Sequence, residues 1–165
     1  MLLSSCQTQM QPKADYQQPY YAWIGDGQAT FEGAKRVTIP YSEAPYCLHG
    51  HPGIEASING VSGLFMIDTG TVAPMLSRQA VRLCSLNVGP SSGKWWNGES
   101  AAPMEVATNV TVWLTPRFAI HWSGVAVLSE EHKADTNFFG FLDYGTLQAA
   151  HAVMDMKKKT ITLNQ

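Results

Sequence analysis

The sequence predicts an all-β domain with one or two short helices, and three observations point there. Its apolar residues fall in short runs bounded by Gly, Pro, Asn and Ser, which is strand punctuation. The pair Asn59-Gly60 separates two such runs, and both residues tolerate the positive φ of a two-residue hairpin turn. Helical patterning is confined to two brief stretches, one after Ser77 and one from Tyr144 to Ala150.

In order along the chain, Gln7 to Tyr20 is rich in Gln and Pro and poor in aliphatic residues, so residues 1–30 read as a tether and 31–165 as the domain. Arg36–Pro40 is a short strand ended by Pro. Pro52–Ile58 alternates, turns at Asn59-Gly60 and returns through Val61–Ile67. Ser77 is placed to cap a helix to about Leu86, with Ala80, Val81 and Cys84 on one apolar face. Residues 89–100 are rich in Gly, Ser and Asn and contain Trp95-Trp96-Asn97-Gly98. Met104–Leu114, Phe118–Trp122, Val125–Leu128 and Phe138–Leu142 read as strands, with a charged loop from Glu130 to Thr136. Ala152–Asp155 and Thr160–Leu163 flank Lys157-Lys158-Lys159 as a closing hairpin, with the lysines on its solvated turn.

Bulk properties bound the function. The chain has 165 residues, 45% of them apolar and 15% charged, enough for one cored domain without disulfides. A net charge of −2 gives no sign of nucleic acid. No apolar run approaches the ~18 residues that span a bilayer. Leu3-Ser4-Ser5-Cys6 nevertheless resembles the lipobox of bacterial lipoproteins, although only five residues precede Cys6. That match implies membrane attachment through a lipidated Cys6 and a place in the bacterial periplasm or envelope; without it the chain reads as cytoplasmic. Cys47 and Cys84 read as free thiols, with a disulfide as the alternative. His49-Gly50-His51 has no metal-binding spacing around it, so neither metal nor cofactor is expected. Asp135 and Asp155 read as solvent-facing.

One stretch carries chemistry. In Gly63-Leu64-Phe65-Met66-Ile67-Asp68-Thr69-Gly70-Thr71 an acid ends an apolar strand, where a carboxylate is costly to bury unpaired. Asp68 is therefore either a turn-former or a working acid. Four pieces in order settle how the stretch reads: "IEASINGVSGLFMIDTGT", "LSRQAVRLCSL", "FFGFLDYGTL" and "HAVMDMKKKTITL". Together they resemble the bacterial single-domain members of the retropepsin-like aspartic proteases over about residues 37–163.

The resemblance implies a retropepsin-like closed β-barrel, the half-domain of an acid protease, and peptide-bond hydrolysis by water held between two Asp carboxylates. One Asp-Thr-Gly per chain then implies a homodimer, with Asp68 from each copy. It implies an active-site loop of Asp68, Thr69, Gly70 and Thr71, in which Thr69 bonds across to the partner's loop. It also puts Trp95, Trp96, Asn97 and Gly98 in the flap that covers a peptide substrate. Trp95 and Trp96 read equally well as ordinary surface or core aromatics. In Gly140-Phe141-Leu142-Asp143 the family's usual Gly after two apolar residues is read as replaced by Asp143, itself a turn residue. That replacement motivates a second expectation, a catalytically inactive binding or assembly module. A small envelope lipoprotein whose β-domain binds a ligand is a third.

Overall fold

The computed structural model describes residues 29–43, 51–71, 73–96, 101–128 and 137–165. At its centre is the hairpin of β4 (Pro52–Ile58) and β5 (Val61–Asp68). Its turn residues Asn59 and Gly60 take φ of 50° and 80°, the positive values a tight hairpin turn demands. The Asn59 side chain also donates to the Cys84 carbonyl at 2.8 Å, tying the tip to the end of the first helix.

The other elements wrap this hairpin. In chain order they are β1 (Thr30–Gly33), β2 (Arg36–Pro40) and β3 (Ser42–Glu43) before it. After it come β6 (Met75–Leu76), α1 (Arg78–Leu83), β7 (Val88–Trp96), β8 (Ala101–Thr115) and β9 (Phe118–Val127). β10 (Phe138–Asp143), α2 (Tyr144–Ala149), β11 (Val153–Asp155) and β12 (Thr160–Asn164) complete the described elements. Neighbours in the large sheet run β1-β9-β6-β10-β5-β4-β8-β7, and β8 also pairs with β9. That extra pairing closes β9, β6, β10, β5, β4 and β8 into a six-stranded ring, a mixed β-barrel. β2, β12 and β11 form a separate antiparallel sheet.

Alternation along the strands fills the barrel. Phe65 and Ile67 of β5 join Ile54, Ile58, Leu76, Phe118, Trp122 and Phe139 in one core. Each such side chain contributes about 1.5–3 kcal/mol by leaving water. The Trp122 indole N–H donates to the Thr146 hydroxyl at 3.1 Å, so the one polar atom of that buried ring is satisfied. Met75, next to the core residue Leu76, packs instead with Met104, Val106 and Ala126 in a second, smaller cluster.

Several expectations hold in detail. Ser77 caps α1, accepting from the Ala80 N–H at 3.1 Å. The helix ends at Leu83, with Cys84 as its cap and not Leu86. Cys84 is a free, buried thiol, and burial pushes its pKa to about 11. The lysine run is a turn in which Lys157 and Lys158 N–H donate to Asp155 Oδ1, both at 3.0 Å. Asp155 is thus a bonded turn former and not simply a solvent-facing acid. The Lys158 N–H, foremost, holds its carboxyl below the usual carboxylate value.

Other expectations are corrected. The Gly- and Ser-rich stretch, which the sequence left without an element, is a strand: Val88 to Trp96 pairs antiparallel with β8, and that long-range ladder overrides weak local propensity. Phe118–Trp122 and Val125–Leu128 are one strand, because β8 pairs with it continuously from Glu105 to Val112. β1 pairs antiparallel with β9 from Thr30 to Gly33. The expected lipidation site Cys6, the tether before residue 29, Cys47, Asp135 and the 130–136 loop lie outside the described residues.

Candidate active site

Asp68 is the last residue of β5, half-buried, and the chain turns immediately after it. Its Oδ1 accepts the Gly70 N–H at 2.8 Å, an Asx-type turn that aims the carboxylate back over its own loop. A Cβ on Gly70 would stand 3.2 Å from that oxygen. The Asp68 carbonyl accepts the Thr71 hydroxyl at 3.0 Å and the Thr71 N–H at 3.4 Å. Thr69 and Gly70 are exposed. The loop is therefore shaped by its own backbone, with one carboxylate oxygen bonded inward.

A second element supports the loop from behind. β10 lies parallel to β5 with Leu142 beside Ile67 and Asp143 beside Asp68. The Tyr144 N–H then donates to the Thr71 carbonyl at 3.3 Å. β10 sits between β5 and β6, so this one strand fixes both flanks of the loop.

Asp143 has a structural job. It is 2% exposed and caps α2, its carboxylate accepting the Gly145 N–H at 2.9 Å and the Thr146 N–H at 3.3 Å. The sequence signal for this was an Asp standing just before a helical turn.

The expectation that Asp143 replaces the Gly of the apolar-apolar-Gly segment is corrected. That segment is Phe138-Phe139-Gly140. A Cβ at Gly140 would lie 2.0 Å from the Met75 carbonyl oxygen, so the close strand approach that requires Gly falls there. Ser77 reinforces the same crossing: its N–H donates to the Phe139 carbonyl and its hydroxyl to the Phe138 carbonyl, each at 2.8 Å.

The expected flap residues divide. Trp95 and Trp96 lie at the end of β7, paired with Ala102 and Ala101, at the far end of the β7–β8 hairpin. Asn97 and Gly98 lie outside the described residues. At the hairpin's base Arg78 of α1 forms an ion pair with Glu105 of β8, a contact between residues 27 positions apart that no local pattern signals.

Comparison with solved structures places this architecture. A retropepsin-like aspartic protease from Rickettsia conorii superposes with a TM-score of 0.55 at 16% identity, over 82% of this chain and 94% of that one. The retroviral protease-like domain of Ddi1 from Leishmania major gives 0.49 at 14% identity, over 77% and 89%. EIAV protease gives 0.47 at 16% identity, over 68% and 100%. No protein-family profile matches the chain, and no curated protein sequence matches it. The chain has the retropepsin-like fold.

Proposed function

We propose that the chain is an aspartic endopeptidase that works as a homodimer, with Asp68 as its catalytic residue. The observation that carries this reading is the Asp68-Thr69-Gly70 loop at the end of β5, braced by β10 on a retropepsin-like fold. The exposed Thr69 side chain has no hydrogen-bond partner among the described residues, which suits a bond to a second copy's loop.

The chemistry needs two carboxylates about 3 Å apart that share one proton, since both cannot ionise at that distance. The ionised Asp68 takes a proton from a water molecule as the oxygen attacks the scissile carbonyl carbon. The protonated Asp68 of the second copy donates to the carbonyl oxygen, giving a neutral diol. Collapse breaks the C–N bond and returns a proton to the amine, leaving an acid and an amine. The β7–β8 hairpin is the cover that excludes bulk water during these steps.

The reading is tested with a broad peptide library at mildly acidic pH. Wild type cleaves, Asp68→Asn does not while keeping its circular dichroism, and specific activity rises with dimer content. A sample shown to be dimeric that cleaves nothing sinks the reading and leaves the inactive assembly module. Lipidation of Cys6 and an envelope location rest on the sequence motif, and lipid labelling of the wild type against Cys6→Ser decides them.

A further inference from the structure

A cleft of about 340 Å³ opens where the turn after β1 meets the turn between β8 and β9. Ala34, Arg36, Val37, Thr115, Pro116 and Arg117 line it. The two turns are locked together. The Ala34 N–H donates to the Arg117 carbonyl at 2.7 Å. Gly33 has φ of 101°, and a Cβ there would stand 2.2 Å from the same oxygen, so only Gly lets the turns approach so closely. Gln165 braces the first turn, its side chain donating to the Ala34 carbonyl at 3.3 Å and its backbone N–H to the Lys35 carbonyl at 2.9 Å.

The charge here is one-sided. Lys35 and Arg117 stand on the two turns and Arg36 opens β2, in a chain whose net charge is −2. Among the described residues neither guanidinium has an ion pair or a side-chain hydrogen bond. The neighbouring acid Glu32 is engaged with His121 Nε2 at 2.9 Å. A guanidinium offers a planar fork of donors that matches a carboxylate two bonds at a time. Beside the two arginines the lining is the aliphatic Ala34, Val37 and Pro116, together with Thr115. A phosphate would favour free backbone N–H groups, and the Ala34 N–H is already used.

We infer that this cleft binds a peptide carboxylate, held between Arg36 and Arg117, with an apolar neighbouring residue resting on Ala34, Val37 and Pro116. The site is separate from the Asp68 loop and does not depend on the protease reading. The carboxylate has two possible sources, a Glu side chain or a peptide C-terminus.

The test titrates isotopically labelled full-length protein, followed by the amide signals of Ala34 and Arg117. The probes are acetyl-Leu-Glu-Leu-amide, acetyl-Leu-Gln-Leu-amide, acetyl-Leu-Leu with a free carboxyl end, and inorganic phosphate. Saturable binding of either acid probe, at least tenfold tighter than the Gln probe, is expected; which acid binds better identifies the source. Arg36→Gln and Arg117→Gln each weaken it about fivefold, as does added salt. Arg36→Lys and Arg117→Lys keep the charge but lose the fork, and fall between. Equal binding of the Glu and Gln probes with no binding of the free-carboxyl probe overturns the inference. So does phosphate binding as tight as the acid probes, or an acid affinity unmoved by the Arg substitutions.

Discussion

Asp68 and Asp143 stand side by side on adjacent parallel strands, yet their surroundings divide their work. Asp143 is buried, and both its oxygens are taken by N–H groups at the start of α2. Asp68 is half-buried, and only Oδ1 has a partner among the described residues, the Gly70 N–H. Two identical side chains one strand apart, about 4.8 Å in backbone spacing, thus differ in what they have left to offer. The capped one holds a helix in place. The other has an oxygen with no partner among the described residues.

The sharpest way to break that contrast is to swap each acid for its amide. Asp68→Asn should abolish peptide cleavage while stability stays within about 0.5 kcal/mol of wild type. Asp143→Asn should keep cleavage at some cost in stability, because the amide oxygen still accepts one N–H at the start of α2 while the amide nitrogen cannot accept the other. Parallel assays and thermal melts check both, and cleavage lost equally in the two variants would end the division of labour.

Gly140→Ala attacks the strand that carries Asp143 to its place. With the Met75 carbonyl 2.0 Å from the new Cβ, β10 must shift, at a cost of about 3 kcal/mol or more. A denaturation midpoint close to wild type would show that the crossing is looser than described. Asp143→Ala strips the cap and should cost about 1–2 kcal/mol by the same measurement.

Asp155 sharpens the comparison with the smallest effect. It is a third acid fixed by backbone N–H groups, but on an open turn. Its folded-state pKa lies below the value of 3.8 for a free Asp, chiefly through the Lys158 N–H. Its contribution to stability is therefore present above that value and lost as pH falls through the lower folded pKa. Asp155→Asn should lower stability slightly at neutral pH and leave it unchanged below the folded pKa, which flattens the acid limb of a stability–pH curve. A variant that is equally acid-sensitive would deny the bond any role.

What the sequence made legible was local. The Asn59-Gly60 turn, the Ser77 cap and the lysine turn each depend on residues a few positions apart, and each is where the pattern put it. The Asp68 loop was legible because a hairpin leads directly into it. The rest depends on partners far along the chain. β7 looks like a loop until β8 lies beside it. β6 is two residues that count as a strand only between β10 and β9. Gly140 and Asp143 could be told apart only once Met75 and Thr146 were known to face them. No local period carries that information.

The insertion of β10 between β5 and β6 has a bearing on timing. Residues 52–68 can close their hairpin as soon as they are made, since the contacts are local. The Asp68 loop, however, takes its rear support from Leu142, Asp143 and Tyr144, roughly 75 positions later. A chain emerging from its N-terminus therefore carries Asp68 long before it carries the working arrangement. If cleavage is its trade, a half-made copy is harmless to its neighbours. Pulse-labelling hydrogen exchange should find the Gly70 and Thr71 amides protected only together with those of β10.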